Sequence, residues 1–241
     1  MKQLCIALLI LPLMVTAQNF EEALLSMSVI TVKQGHNAQF LEGVSKWKDC
    51  YVENEGTNQW NFWSRVQGEG SVYGLTGWMS NWAEMDKEDA ASEKCAMNAV
   101  NFIIPHIEKS EYNIASTLPD WSKKTMATDT KVVWVTYFRV KNGPAFSEVI
   151  KEITGTIKTK EGEPRGQWYA FEGGGEQSPD YMVVSSFNGY AALDEERDGP
   201  WKVYENVHGK KKTDDLRAKY RSAVDNSWAY LWSLNEKLSN Q

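Results

Sequence analysis

Residues 32–35 read Val-Lys-Gln-Gly, and residues 140–143 read Val-Lys-Asn-Gly. The same shift of 108 positions places Gln59-Trp60 on Gln167-Trp168. It also places residues 82–86, Trp-Ala-Glu-Met-Asp, on residues 190–194, Tyr-Ala-Ala-Leu-Asp. One offset that serves three separated blocks indicates an internal duplication. A second, weaker match at an offset of 117 places Ser122 on Ser239.

Both copies have the same pattern of secondary structure. A β-rich run, residues 24–32 or 132–140, ends in a glycine turn and is followed by apolar residues at helical spacing. Two strands around glycine-rich turns, a second helix and a closing strand complete each copy. The order β-α-β-β-α-β predicts a ferredoxin-like α+β unit, so we expect two such units in tandem.

The N-terminus has the pattern of a secretory signal peptide. Lys2 precedes an apolar run from residue 4 to residue 15, and Val15-Thr16-Ala17 fits a cleavage site. The run is shorter than the roughly 20 residues of a membrane-spanning helix. We predict an exported, periplasmic or extracellular, bacterial-type protein without membrane insertion after cleavage. The predicted segments are a signal peptide (1–17), a first repeat (18–122), a linker (123–130) and a second repeat (131–241).

The charge of the chain argues against some partners. The formal net charge is −6, and an acidic chain does not favour nucleic acid as a partner. Because two copies in one chain can cover each other's sheets, we expect a monomer.

Two cysteines remain after the predicted cleavage, Cys50 and Cys95. Both fall in predicted helices of the first repeat that should pack side by side, and an exported protein meets an oxidising compartment. A disulfide between them is one interpretation. Two buried free thiols are the other.

An antiparallel sheet with helices on one face leaves its other face in need of cover. We therefore expect the two units to pack sheet to sheet. With Val-Lys-x-Gly after the first strand and an early phenylalanine in the next helix, Phe40 or Phe146, the chain resembles the dimeric α+β barrel superfamily. This resemblance implies a barrel with a cavity inside each unit. Members of that superfamily include cofactor-independent oxygenases, haem-degrading enzymes and proteins of no known activity. Their catalytic residues have no match in this chain that would carry a role over.

The chain contains 11 tryptophans, a surplus that suits either an aromatic pocket or a core filled with rings. Strand alternation separates these two uses. The face that mixes polar and aromatic side chains is the better pocket wall, and it predicts a set of ligand-binding candidates. These are Asn61, Trp63, Arg65, Tyr137, Arg139, Tyr169 and Phe171. An arginine on this face would bind a ligand carboxylate or form a surface ion pair.

The three histidines lack metal-ligand spacing, so we predict no metal site and no bound cofactor. The leading functional hypothesis is a binding module for a small apolar or aromatic ligand, or an interaction protein. The alternative is a cofactor-independent monooxygenase or haem-acting enzyme. A purely structural protein without a usable cavity is the third possibility.

Overall fold

The computed structural model describes residues 20–241. The predicted signal peptide lies outside the described residues. Within the described range, no helix is long and apolar enough to cross a membrane.

The first half of the chain contains four strands and two helices. They are β1 (Leu24–Val32), α1 (Asn37–Glu53), β2 (Asn61–Arg65), β3 (Ser71–Met79), α2 (Ala90–Phe102) and β4 (Ile107–Thr117). The second half contains four strands and three helices. They are β5 (Val132–Val140), α3 (Gly143–Glu161), β6 (Gln167–Phe171), β7 (Tyr181–Phe187), α4 (Pro200–His208), α5 (Lys210–Ala223) and β8 (Val224–Leu234). The bounds of β1 and β5 match the predicted strands.

Local sequence explains where the helices begin and end. The side chain of Asn142 accepts a hydrogen bond from the Ala145 amide at the start of α3, and proline follows in the first turn. Gly162 ends the same helix with φ of 92°, a conformation that favours glycine. Asp89 caps α2 by accepting from the amide of Ser92.

The eight strands form one closed antiparallel barrel in the order β1-β3-β2-β8-β5-β7-β6-β4. The first half contributes β4-β1-β3-β2 and the second contributes β8-β5-β7-β6. The predicted α+β barrel is confirmed in this coarse form. The halves meet along two seams, where β2 pairs with β8 and β4 pairs with β6. The seams leave neither half with a free sheet edge.

Buried side chains occupy two kinds of layer. One layer fills the barrel interior and includes Met27, Val135 and Trp232. The other layers lie between the barrel and its helices, where Phe40 of α1 and Phe146 of α3 are both fully buried. The helices therefore cover the outer face of the barrel, and the inner faces of the two halves lie opposite each other.

The short segment that follows the last strand of each half, its tail, packs in the core of the other half. After β4, Trp121 packs against Phe146 and Trp168 in the core of the second half. After β8, Leu238 packs in the core of the first half. Segment 118–122, which the sequence analysis assigns to the first repeat, thus packs with the second half.

The two tails make the same hydrogen bond. Ser122 Oγ accepts from the buried Trp168 amide at 2.8 Å. Ser239 Oγ accepts from the buried Phe62 amide at 2.9 Å. The serine pair at the weak offset of 117 therefore occupies equivalent positions.

A disulfide joins Cys50 of α1 to Cys95 of α2, with 6.0 Å between their Cα atoms. It closes a span of 45 residues, and a crosslink of this length stabilises a fold by roughly 2–4 kcal/mol.

Replacing Ser122 or Ser239 tests whether the exchanged tails hold the two halves together. Ser122→Ala and Ser239→Ala each leave a buried backbone N–H without its acceptor, so each should lower the free energy of unfolding by about 1–3 kcal/mol. Ser222→Ala is the control, because Ser222 is exposed and bonds only within its own helix. Urea denaturation measures all three. If the tail variants were as stable as the control, the tails would not hold the halves together.

Candidate functional site

The barrel interior contains two chambers along its axis. The inner chamber, of about 240 Å³, lies at the end where β1 and β5 begin. The outer chamber, of about 550 Å³, lies at the opposite end, under the loop between β6 and β7. Four residues line both chambers and form the wall between them: Met27, Val29, Tyr137 and Trp232. Both halves contribute to each chamber, whereas the resemblance implied one cavity inside each unit.

The inner chamber is aromatic, and the side chains that line it are neutral. Every other side chain of the strands faces it, as a barrel requires. Trp63, Trp78 and Tyr169 line it, together with neutral polar groups such as Thr76 and Gln167. Among residues 20–241, those that line this chamber include no Asp, Glu, Lys, Arg or His. A charged ligand would lose its hydration there without gaining an ion-pair partner.

Trp232 lines both chambers and carries a buried indole donor. The residue is 5% exposed. Its indole Nε1 makes no hydrogen bond of good geometry among the described residues, although it lies close enough to the Tyr137 hydroxyl to lower the pKa of that phenol. Leaving a buried donor unpaired costs about 1–3 kcal/mol. The indole of Trp63, by contrast, donates to Thr76 Oγ1 at 3.0 Å. Trp168 Nε1 is also unpaired, but Trp168 lines neither chamber.

Two buried phenols, Tyr137 and Tyr169, also line the inner chamber. Burial raises the pKa of Tyr169 and of Tyr137 well above the ordinary value for tyrosine. For Tyr137, the neighbouring Tyr230 adds to the rise in pKa, while the N–H of the nearby Trp232 indole, as a hydrogen-bond donor, and the charge of Arg65 lower it. Both phenols therefore stay protonated at neutral pH and keep a proton to donate.

The linker between the halves covers the inner chamber. Met126, Ala127, Thr128 and Thr130 contribute to its lining, and Met126 packs on the interior core. Backbone hydrogen bonds hold this segment at both ends, from the Lys123 amide to the Gly166 carbonyl and from the Lys131 amide to the Phe187 carbonyl. The polar composition of the linker gave little sign of this role.

The predicted candidates lie mostly in the barrel interior. Asn61, Trp63, Tyr137 and Tyr169 line the inner chamber, and Arg65, Tyr137 and Phe171 line the outer one.

Arg139 lines neither chamber. It forms an ion pair with Asp225 at 2.6 Å and donates to Gln177 at 2.6 Å. Of the two predicted roles for an arginine on this face, the structure shows the ion pair with another side chain of the protein and not a place for a ligand carboxylate. A β-bulge between Arg139 and Val140 marks the strand end there.

Trp232 is a chamber residue that the candidates predicted from the sequence do not include. The sequence contains a pattern that points to it: every second residue along the end of β8 is large and apolar or aromatic, at Trp228, Tyr230, Trp232 and Leu234.

The histidines do not fit a haem site in the barrel. His36 and His106 contact each other through Nδ1 at 2.9 Å, and His208 contacts Thr156 Oγ1 at 2.9 Å. None of the three lines either chamber, and histidine is a common axial ligand of haem. The inner chamber is also below the roughly 300 Å³ at which pockets for drug-sized ligands begin. Within the described range, no three His, Cys, Asp or Glu side chains cluster as a metal site would.

Comparison with known proteins identifies the fold. No protein-family model matches the chain, and no curated protein matches it. Its fold is similar to the folds of several solved structures, over about nine-tenths of the chain.

Three solved structures illustrate the likeness. A candidate monooxygenase from Lactobacillus acidophilus NCFM is 14% identical with a TM-score of 0.52, over 91% of this chain and 99% of that one. An anthrone oxidase-like protein is 11% identical with a TM-score of 0.52, over 89% and 92%. A mutant chlorite dismutase from Candidatus Nitrospira defluvii is 6% identical with a TM-score of 0.52, over 89% and 92%. At these identities the likeness is one of fold alone.

The unpaired indole N–H predicts a preference among ligands of one shape. Acetophenone carries a carbonyl acceptor that ethylbenzene lacks, so acetophenone should bind about 5-fold more tightly. Trp232→Phe should abolish this difference. Trp134→Phe, on a residue that is 40% exposed and lines neither chamber, should preserve it. Calorimetric titration of the native protein and both variants with the two ligands measures these affinities, and equal affinity of the native protein for both ligands would contradict the assignment.

Proposed function

We propose that the inner chamber binds a small, flat, uncharged aromatic molecule with an oxygen acceptor, and that the protein oxidises this molecule as a cofactor-independent monooxygenase. One observation carries the binding step: a buried indole N–H that makes no hydrogen bond of good geometry belongs to a residue lining an aromatic chamber without charged side chains. The fold likeness to a candidate monooxygenase and an anthrone oxidase-like protein supports the oxidation. A fold alone does not fix a function, so the chemistry must be tested separately.

The volume of the chamber limits the size of the molecule. A cavity of about 150 Å³ holds benzene, and this chamber measures about 240 Å³. A compound of one or two rings therefore fits without rearrangement. The same limit and the absence of histidine from the lining are why we do not propose that the inner chamber binds haem.

The chamber's own residues suggest how a hydroxylated aromatic would be held. Trp232 would donate from Nε1 to the substrate oxygen. Tyr137 and Tyr169, kept protonated by burial, would supply further donors. Donors fixed in a water-poor site stabilise negative charge as it develops on an oxygen. They would therefore favour the phenolate form of the substrate, in which a phenolic ring gives up electrons most readily.

Binding without turnover is the second candidate. The lining of the inner chamber contains no carboxylate or imidazole side chain, and these are the usual general bases near neutral pH. This observation favours a carrier or sensor of the same class of ligand.

Oxygen uptake separates the two candidates. With hydroquinone or 1-naphthol, an oxygen electrode should record consumption above the uncatalysed rate. Trp232→Phe should reduce this rate by roughly 100-fold, the effect of removing one donor to a developing oxyanion. Trp134→Phe should leave it unchanged. Binding without oxygen uptake would establish the carrier, and neither binding nor uptake would refute both.

We also propose that the chain arose by duplication of a ferredoxin-like unit. The strand order of each half, the fully buried Phe40 and Phe146, and the two tail serines support this. Further support comes from β-bulges at Thr31/Val32 and Arg139/Val140, which differ by the same 108 positions as the sequence blocks.

Export as a monomer is a further proposal, based on the residue 1–17 pattern and on a barrel that closes within one chain. Native mass spectrometry of protein recovered from outside the cytoplasm tests it. We expect a monomer that begins at Gln18 and lacks free thiols, since Cys5 leaves with the signal peptide. A retained leader or a stable dimer would contradict this proposal.

A further inference from the structure

The outer chamber contains a guanidinium that the fold holds in place. Arg65 lies over the ring of Tyr230, with 4.6 Å from its Cζ to the ring centroid. Its Nη2 also donates to the backbone carbonyl of Glu69. Gly68, with φ of +100°, packs beside this pair: a Cβ there would lie 3.2 Å from Arg65 Nη2 and 3.3 Å from the Tyr230 ring. The side chain of Arg65 is therefore fixed before any ligand arrives.

This guanidinium has no acidic partner. No carboxylate among residues 20–241 forms an ion pair with Arg65. Of the two acids that line the chamber, Glu111 is paired with Lys109. The other, Glu176, is an exposed residue of the covering loop. A fixed, unpaired guanidinium in a partly enclosed site favours a carboxylate as its ligand.

The rest of the wall is aromatic. Tyr137 stacks on Trp228 with 5.6 Å between ring centroids and an angle of 17°, and Phe171 lies 6.4 Å from Tyr137. The volume, about 550 Å³, falls within the roughly 300–1,000 Å³ typical of pockets for small molecules.

From these contacts we propose that the outer chamber is a second binding site, which takes a flat aromatic carboxylate. The ring lies against Trp228 and Phe171, and the carboxylate pairs with Arg65. Aromatic walls also attract cations, but Arg65 already covers the Tyr230 face and would repel a second positive charge. The proposal does not rest on the oxidation proposed for the inner chamber, since the two sites differ in charge.

Three naphthalenes of similar shape test the proposal by calorimetry at neutral pH. 2-Naphthoate is anionic, 2-naphthamide is neutral and 2-naphthylmethylammonium is cationic. The native protein should bind 2-naphthoate at least about 10-fold more tightly than 2-naphthamide, and the cation most weakly. Equal affinities, a preference for the cation, or no binding of 2-naphthoate would overturn the proposal without any variant.

Variants then locate the site. Arg65→Gln should abolish the preference for 2-naphthoate, whereas Arg221→Gln, on an exposed arginine of α5, should keep it. Ser186→Leu reduces the inner chamber, which Ser186 lines without reaching the outer one, and should leave 2-naphthoate binding unchanged. Loss of 2-naphthoate binding in Ser186→Leu, together with its retention in Arg65→Gln, would place the anion in the inner chamber and refute the proposal.

Discussion

The fold depends on each half completing the other. Taken alone, either half would expose the backbone of two edge strands and the apolar face of its sheet. The seams between β2 and β8 and between β4 and β6 pair those edges. The exchanged tails add a buried serine to each helix-covered core, where Ser122 accepts from the Trp168 amide and Ser239 from the Phe62 amide. Because buried backbone donors are costly to leave unpaired, neither half is complete without the other.

This closure determines where a ligand can bind. The helices pack against the outer face of the barrel. The chambers lie in the interior, where the inner faces of the two halves are opposite each other. Trp232 and Tyr137 divide that space into an uncharged inner chamber and a larger outer chamber that contains Arg65. The linker covers the first and the loop between β6 and β7 covers the second. A single closed barrel thus offers two environments of different polarity.

Much of this arrangement is readable in the sequence, because strand alternation has a fixed period. Asn61, Trp63 and Tyr169 face the inner chamber as their parity predicts. Arg139 has the same parity as Tyr137, but it lies at a bulged strand end and reaches Asp225 instead. The linker's position over the chamber depends on long-range contacts that composition does not encode. The equivalence of Ser122 and Ser239 could not be predicted from the sequence with any force, because two matching serines are a weak signal. It becomes evident from the structure, where both form the same buried hydrogen bond.

Amide hydrogen exchange along the seams tests the mutual closure most directly. The Val66 amide donates to Leu231 and the Asn235 amide to Phe62 across one seam, and the Glu172 amide donates to Ile114 across the other. If the halves form one closed barrel, these amides should exchange as slowly as those within the β1–β4 and β5–β8 pairs. Fast exchange at the seams with protection inside each half would show two separate sheets, and the account of the interior chambers would fail.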